Sequence, residues 1–444
     1  MRSKLKRKTI LMSLLAFLFL LSISSFQFNI RQKNIEDQEL SSIKSASGDW
    51  SPYIEESVGR YPMSVFLGDV NNDGYNDIAT ANHYDYNVSI LLWNNNSRYW
   101  NVGTLPVGIG PYSVCIGDAD NDGDNDLVTT DWASNNITIW SWNTPNKSWE
   151  LPISKPSGFH PRGISIEDVN NDGFNDITTA NDFVDVVVIH LWNNSLHDYD
   201  PLIFRPVGIN PWNVVVDDAN NDGFNDILTT DAVNSEVVIL LWNQLSGDWD
   251  IRIEKPIENL PMWVSLGDAN NDGFNDIVTA NYGSNNISVL LWNDVISDWE
   301  QEIRKNTESF PKSVAIGDVN NDGFNDIVAT NSEAMVLSIF LWNVDENDWD
   351  DQILLDVAGK TNTLFIGDAN NDGFNDIITD HNGRNTISII LWNPGANKER
   401  RLTISPIELF VIIGGISVIT VIIFISILII LRNRRMQNVT QEIG

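Results

Sequence analysis

The chain has 444 residues, of which 60 are acidic and 27 basic, giving a formal net charge of −33. So strong a negative charge repels phosphate groups, which excludes nucleic acid as an expected partner and favours divalent cations. The apolar fraction of 42% and the 17 tryptophans exclude a disordered acidic chain, and the single cysteine excludes an internal disulfide.

The first predicted element, residues 1–26, is a secretory signal peptide. Five basic side chains in residues 1–9 precede an apolar run at 10–26 that contains small serine residues near its end. An uncleaved anchor is the alternative, although a helix over this apolar run reaches only about 25 Å, marginal for a membrane span. We expect the residues that follow to be exported.

Residues 48–395 repeat with a period of 49 or 50 residues. The nonapeptide DANNDGFND opens without change at Asp218, Asp268 and Asp368, and four variants open at Asp69, Asp118, Asp168 and Asp318. Each unit holds four short β-type runs between turn residues, which in the fifth copy are 251–253, 263–266, 277–280 and 287–292. Seven such units predict an all-β, seven-bladed β-propeller with four-stranded blades. A stacked solenoid is the alternative, but it requires atypical capping repeats that this sequence lacks.

The ends of the repeat region predict how the ring closes. An aromatic residue marks the outer strand of each unit, from Trp50 to Trp349, but none follows the last LWN triplet at 391–393. The seventh blade therefore lacks a fourth strand of its own, whereas residues 49–56 supply a spare one. We predict that this amino-terminal strand completes the last blade.

The nonapeptide has the ligand pattern of a calcium loop. In the fifth copy, side-chain oxygens stand at positions one, three, five and nine, and Gly273 at position six permits a left-handed backbone. Calcium takes six to eight such oxygen ligands. An EF-hand is rejected because it needs a glutamate at position twelve and flanking helices, whereas this chain has Thr279 there and β-type flanks. An ion-free polar turn is the remaining alternative, but it leaves the clustered carboxylates to repel one another.

This pattern resembles the FG-GAP (VCBS-type) repeat found in the seven-bladed propeller of integrin α subunits. That family places D-x-[DN]-x-D-G-x-x-D between the first and second strands of a blade, although the literal Phe-Gly and Gly-Ala-Pro elements are mostly missing here. The resemblance implies up to seven Ca²⁺ ions, one per blade. Their ligands would be Asp69, Asn71, Asp73 and Asp77; Asp118, Asp120, Asp122 and Asp126; Asp168, Asn170, Asp172 and Asp176; Asp218, Asn220, Asp222 and Asp226; Asp268, Asn270, Asp272 and Asp276; Asp318, Asn320, Asp322 and Asp326; and Asp368, Asn370, Asp372 and Asp376.

Aromatic residues fall into a repeating and a non-repeating set. The tryptophans of the LWN triplets occur in every copy and are expected to pack between blades. In the resembling family, the loops before strand one and between strands two and three share the face opposite the calcium hairpins, where partners bind. The irregular aromatics in these loops are therefore candidates for ligand contact: His83, Tyr84, Trp132, Phe183, Tyr282, Phe159, His160, Trp212 and Trp263.

The last predicted element is a transmembrane helix at residues 409–431, 23 residues without a charge. A juxtamembrane linker at 396–408 precedes the helix, and a short cytoplasmic tail at 432–444 follows it. The signal at the other end orients the span, so the sequence predicts a single-pass protein of the cell membrane whose propeller is extracellular.

The function predicted from these elements is adhesion to, or recognition of, a protein or glycan partner by a calcium-binding propeller. Neither H-E-x-x-H nor G-x-S-x-G occurs, and nearly all acidic pairs lie in the repeated loops. We therefore expect no enzyme activity. An extracellular hydrolase or lyase acting on a polysaccharide, and a structural surface-coat protein, are the alternatives.

Overall fold

The computed structural model describes residues 50–394. The predicted signal peptide, linker, membrane helix and tail lie outside the described residues. Between residues 50 and 394, no helix is long and apolar enough to cross a bilayer. The regular secondary structure of this part of the chain consists of β-strands.

Seven four-stranded antiparallel sheets, named blades one to seven in chain order, confirm the predicted all-β, seven-bladed propeller. The innermost strands are Pro62–Gly68, Pro111–Gly117, Pro161–Glu167, Val214–Asp217, Pro261–Gly267, Pro311–Gly317 and Leu364–Gly367. The second strands are Asp77–Asn82, Asp126–Asp131, Asp176–Asn181, Asp226–Asp231, Asp276–Asn281, Asp326–Asn331 and Asp376–His381. The third strands are Asn87–Asn94, Asn136–Trp140, Val186–His190, Glu236–Asn243, Asn286–Leu290, Val336–Phe340 and Thr386–Ile390. The fourth strands are Tyr99–Pro106, Ile153–Pro156, Ile203–Pro206, Asp248–Pro256, Ile303–Asn306, Ile353–Asp356 and, for blade seven, Ile54–Ser57.

Blades two, three, five and six also carry a two-stranded extension beyond their third strand. The paired segments are Trp142–Asn143 with Ser148–Trp149, Trp192–Asn193 with Asp198–Tyr199, Trp292–Asn293 with Asp298–Trp299, and Trp342–Asn343 with Asp348–Trp349. The run predicted at 287–292 is thus interrupted at Leu291, whose carbonyl accepts a hydrogen bond from the Glu300 N–H at 2.7 Å.

The core of the protein lies between adjacent blades. Each second strand is buried along its whole length, because neighbouring blades cover both of its faces. Between blades four and five, for example, Leu228 and Ile239 pack with Ile277, Leu290 and Trp292. Innermost strands contact those of both neighbours, including blade seven with blade one, so the ring is closed.

The repeated tryptophans pack between blades, as predicted. In each blade the LWN tryptophan lies edge-on to an aromatic ring that precedes the fourth strand or begins it, as Trp292 does with Trp299 at 4.9 Å between ring centroids. Both rings contact the apolar face of the preceding blade. Edge-to-face pairs of this kind add about 0.5–1.5 kcal/mol to the burial of their surface.

The amino-terminal strand closes the ring in the predicted way. Ile54–Ser57 pairs antiparallel with Thr386–Ile390, the third strand of blade seven, with Ile54 opposite Ile389. Trp50 is buried and lies edge-on to Trp392 at 5.0 Å, so it supplies the aromatic partner that the last repeat lacks. The seventh blade is therefore built from both ends of the repeat region.

The antiparallel strands define two faces of the ring. The nonapeptide loops connect strands one and two, and they lie on what we call the acidic face. The connections between strands two and three, and from strand four to the next strand one, lie on the opposite face. Along the axis, the innermost strands line a cavity of about 250 Å³, whose wall includes Ser64, Phe66, Trp263 and Phe365.

Candidate functional site

Each nonapeptide folds into a loop held by its own side chains. In blade five, Asp268 accepts hydrogen bonds from the backbone N–H groups of Asp272 and Gly273, both at 2.9 Å. Asp272 accepts one from Phe274 N–H at 3.0 Å. Position four, Asn271, and position six, Gly273, have φ values of 61° and 95°. The left-handed region favours Asn and Gly, so these residue types belong to the bend itself.

The ninth residue of each loop is a buried aspartate that anchors the loop to the sheet. In blade five, Asp276 Oδ1 accepts a hydrogen bond from the backbone N–H of Trp292 at 2.8 Å. The other oxygen accepts one from Ala269 N–H at 3.0 Å. All seven ninth-position aspartates bond to the N–H of the third-strand tryptophan or its equivalent. The acidic loops are thereby fixed to the rigid centre of each blade.

Blade two has the strongest grouping of acidic ligands. Carboxylate oxygens of Asp118, Asp120 and Asp126 all lie within 4.8 Å of one another. Asp120 Oδ1 is buried and, among the described residues, has no hydrogen-bond partner. A cluster of carboxylates with an orphaned oxygen fits a hard divalent cation, which prefers oxygen ligands. These three aspartates would hold the ion, and it would balance their charge.

In the other six loops an asparagine stands at position three. In blade five, Asn270 Nδ2 donates to Asp272 Oδ2 at 2.9 Å, and its Oδ1 accepts from Asp272 N–H at 3.0 Å. The amide thus offers one oxygen to the centre of the loop but no charge. The first-position aspartates are half-buried in these loops, as Asp118 is in blade two, so the missing carboxylate at position three is what makes their site less acidic.

Two aspartates of the second loop stand apart from its triad. Asp122 was predicted as a ligand, but it is exposed, is outside the triad, and accepts from Asp124 N–H at 2.9 Å. Asp124 Oδ2 accepts from Thr144 N–H at 3.2 Å on a neighbouring turn. Asp120, where the other six loops have asparagine, therefore brings the extra carboxylate of this loop to the site.

Burial perturbs the ninth-position aspartates. It raises the pKa of Asp276 to about 7, and it raises those of Asp77, Asp176, Asp226, Asp326 and Asp376 to about 7 as well. For Asp126, burial and then the charge of Asp120 raise the pKa to about 8. Without a cation, the folded state therefore favours a proton on these groups.

This burial predicts that stability depends on pH in the metal-free protein and not in the calcium-loaded protein. In the folded state these pKa values lie above the unfolded value of about 3.9, so their stabilising effect is complete below about pH 4 and is lost as pH rises through about 7. In chelator, we expect the melting temperature to fall between about pH 5 and pH 8, with the buried His190 and His381, whose pKa values are lowered to about 4, opposing this trend below about pH 6.5. With saturating Ca²⁺ the fall should disappear. The same decline in both samples would show that no cation replaces the proton.

The fourth and eighth residues of the nonapeptide join neighbouring blades. Asn221 Nδ2 donates to the carbonyl of Asn275 at 3.2 Å, and Asn221 Oδ1 accepts from the Asn275 N–H at 2.7 Å. Asn275 Nδ2 in turn donates to the Asp218 carbonyl at 3.0 Å. The same three bonds occur at all seven interfaces, including Asn371 and Asn76 across the closure. Sequence reasoning missed this role.

Removing one of these amides should destabilise the ring. Asn221→Gly keeps a residue suited to a φ of 57° but deletes both side-chain bonds, so we expect a loss of about 1–3 kcal/mol in the free energy of unfolding. Asn347→Gly is the matched control, because Asn347 has a φ of 53° in an exposed turn that its side chain does not bridge. Denaturant unfolding measures both variants. Equal losses would assign the effect to the backbone and not to the inter-blade bonds.

The irregular aromatics mostly gather on the opposite face, over blades one to three. Trp132 stacks on His160 with ring centroids 4.0 Å apart, and His160 contacts Phe183 at 5.2 Å. His83 contacts Trp132 at 6.2 Å and Tyr84 at 5.2 Å. Trp263 lies apart from them, in the wall of the axial cavity, and Tyr282 pairs with Phe310 at 4.8 Å on another part of the ring.

Sequence reasoning missed three further residues beside this group. Tyr61 packs on Tyr84 at 4.6 Å. The guanidinium of Arg162 lies 3.7 Å from the ring centroid of Trp212 and 4.8 Å from that of Tyr112. The signal that could have found Tyr112 and Arg162 is the column of residues that follows the proline of each innermost strand, since this column differs from copy to copy.

Comparison with known proteins identifies the repeat and the fold. The family model for the FG-GAP-like repeat matches residues 69–129 and 268–329, each running from one acidic loop through the next. Virginiamycin B lyase from Staphylococcus aureus has a similar structure, with a TM-score of 0.53 at 13% identity over 76% of this chain and 98% of that one. Kuenenia stuttgartiensis hydrazine synthase is similar with a TM-score of 0.53 at 10% identity, over 76% of this chain and 96% of that one. Identities this low relate the folds alone. No curated protein sequence is a significant match to the chain.

Proposed function

Because the chain carries FG-GAP-like repeats on a seven-bladed β-propeller, we propose that it is a calcium-binding cell-surface protein that recognises a protein or glycan partner. In this proposal, Ca²⁺ binds the acidic loops and the opposite face meets the partner. The signal peptide and the membrane helix expected from the sequence would attach the propeller to the outside of the cell membrane by a single span.

The calcium part of the proposal is supported by the acidic triad of blade two and by the equivalent loops. Each loop offers carboxylate and amide oxygens without nitrogen or sulfur ligands, which suits Ca²⁺. Filling all seven loops would supply 14 positive charges against the formal net charge of −33. The ion would act on stability and not on chemistry, because it would neutralise acids that tie each loop to its blade.

The recognition part depends on one observation: the repeats differ from one another on the opposite face, around the mouth of the axial cavity. The residues that follow the proline of each innermost strand, or its equivalent, form what we call the mouth ring: Met63, Tyr112, Arg162, Trp212, Met262, Lys312 and Asn362. By contrast, the nonapeptide loops of the acidic face are nearly identical. Positions that serve only the packing of a repeat should take the same residue in each copy, so this variation points to contacts outside the fold.

The test is capture of a partner by the full-length, calcium-saturated protein on a glycan array and from labelled cell-surface proteins. The test variant is Phe183→Ala, because Phe183 is 71% exposed on the opposite face. Alanine already occurs at the equivalent position of blade two, as Ala133. Leu245→Ala is the control, since Leu245 is 98% exposed in a turn on the acidic face. We expect capture to be lost with Phe183→Ala and kept with Leu245→Ala. Capture that is lost with Leu245→Ala and kept with Phe183→Ala would place recognition on the acidic face and contradict the proposal.

The proposal includes no catalytic activity. Release of new reducing ends from a polysaccharide incubated with the purified protein would contradict it and would favour the hydrolase or lyase alternative.

A further inference from the structure

The mouth of the axial cavity combines two cations with aromatic rings, in a chain with a net charge of −33. The cations, Lys312 and Arg162, belong to the mouth ring. Burial is the main cause that lowers the pKa of Lys312; the charges of Asp380 and Glu333 raise it, and those of Lys360 and Arg162 lower it further. The acidic loops lie at the other end of the strands. An anion that reaches the mouth therefore meets the Lys312 ammonium at the end of the strands remote from the acidic loops.

The Lys312 side chain is held by a hydrogen bond and not by an ion pair. Its Nζ donates to Asn362 Oδ1 at 2.9 Å, and among residues 50–394 it forms no ion pair with a carboxylate. The buried Asp380 accepts hydrogen bonds from Thr363 N–H at 2.7 Å and from Asn362 Nδ2 at 2.8 Å, so the Asn362 amide lies between this carboxylate and the lysine, whose pKa the carboxylate raises. An ammonium has three N–H donors. Donors therefore remain on Lys312 for an external acceptor.

The fold does not require a lysine at this place. The equivalent positions in blades one and five are Met63 and Met262, and both are buried. Methionine therefore satisfies the packing, whereas partial burial of an ammonium costs free energy. The charge of the buried Asp380 offsets part of this cost, and a ligand that accepts hydrogen bonds from the ammonium would offset more.

Arg162 limits the charge that such a ligand can carry. Its guanidinium forms an ion pair with Asp182, whose side chain is 9% exposed, and it donates to Tyr112 Oη at 2.9 Å. The pair is close to neutral, so Lys312 supplies most of the net positive charge at the mouth. One carboxylate matches this arrangement, and a polyanion does not.

The rings beside the mouth form a continuous surface, which we call the aromatic row: Tyr61, Tyr84, His83, Trp132, His160 and Phe183. It reaches the mouth through His83 and Tyr112, whose rings lie 6.5 Å apart. Tyr84 is 52% and Phe183 is 71% exposed. Exposed ring faces of this kind suit pyranose rings, which present C–H faces.

We propose that the mouth ring and the aromatic row form a binding site for a saccharide that ends in an acidic sugar. The sugar carboxylate accepts hydrogen bonds from Lys312 at the mouth, and the preceding sugar rings lie along the aromatic row. This inference rests on the proposed recognition at the opposite face and names its ligand class.

The test compares two probes by calorimetry on the full-length, calcium-saturated protein: a trisaccharide ending in glucuronate and the same trisaccharide ending in glucose. Lys312→Met should weaken glucuronate binding at least about tenfold, equivalent to about 1.4 kcal/mol, and leave the glucose probe unchanged. Lys312→Arg should restore most of the affinity. Trp132→Ala introduces the residue that blade four has at the equivalent position, Ala232, and it should weaken the binding of both probes. Lys147→Met, an equal change of charge at an exposed turn of the acidic face, is the control.

Melting temperatures establish that each variant is folded. Equal affinity for the two probes, unchanged glucuronate binding in folded Lys312→Met, or preferential binding of a glutamate-rich peptide would overturn the inference. In those cases the proposed function still stands if Phe183→Ala abolishes capture of another partner. If Lys312→Met weakens glucuronate binding but Phe183→Ala leaves all partner capture intact, the carboxylate contact at the mouth stands and recognition through the aromatic row fails.

Discussion

Removing calcium is expected to lower the melting temperature of the full-length protein by more than about 10 °C. The loops are distributed one per blade, and each is tied to its second strand by a buried aspartate such as Asp276. When the ion leaves, the acids of every loop repel one another at once. The destabilisation should therefore affect the whole ring.

The size of the effect follows from binding linkage. A ligand at 100 times its dissociation constant stabilises the folded state by about 2.7 kcal/mol per site. Seven sites together exceed the entire stability of an ordinary domain, which is about 5–15 kcal/mol. Even partial occupancy should therefore give a large shift. Differential scanning calorimetry with excess calcium and then with excess chelator measures it.

Two controls separate a specific site from general screening of charge. Magnesium at the same concentration should restore little stability, because it prefers a smaller octahedral site and keeps its waters. Asp120→Asn gives the second loop the third-position residue of the other six, so it should weaken one calcium site and spare the rest. It should also raise the melting temperature in chelator, since burial raises the pKa of Asp120 and its charged form is disfavoured. If magnesium stabilises the protein as well as calcium does, the loops bind divalent cations without selectivity.

The parts of the structure that repeat were predictable from the sequence. The number and order of the strands, the turn glycines and the buried tryptophans all follow from alternating apolar residues and turn residues in seven aligned copies. The closure by Trp50 and Ile54–Ser57 was also predictable, because the last copy lacks an aromatic strand that the first copy has in excess. Comparing the strands at the two ends of the repeat region was sufficient to predict this closure.

The hydrogen bonds between blades were not predictable. Asn221 and Asn275 look like ordinary turn residues in the sequence, since Asn favours turns whether or not it bonds elsewhere. That each reaches the neighbouring blade depends on the angle between blades, which a one-dimensional pattern does not contain. The mouth ring was missed for a related reason: only the closed ring brings residues about 150 apart, such as Arg162 and Lys312, to one opening.

Deleting residues 50–57 should cause the second large loss of stability. These residues provide the fourth strand of blade seven, and Trp50 is 4% exposed against the core shared with blade six. Their removal exposes the edge of Thr386–Ile390 and unpairs its backbone groups. An open, apolar strand edge pairs readily with another chain. We expect a lower melting temperature together with aggregation at concentrations at which the intact protein is monodisperse.

A pair of point variants tests whether closure of the ring, and not simply lost packing, is responsible. Trp50→Ala and Trp349→Ala each remove a buried tryptophan from an edge-on pair with a centroid distance of 5.0 Å, at 4% and 6% exposure. Loss of the side chain alone should lower the free energy of unfolding of each variant by about 3–5 kcal/mol. Trp349, however, precedes a fourth strand that the chain already holds in place, whereas Trp50 helps to join the two ends of the ring. We therefore expect faster unfolding and greater protease sensitivity for Trp50→Ala. Equal unfolding rates would mean that the closure contributes no more than any other blade.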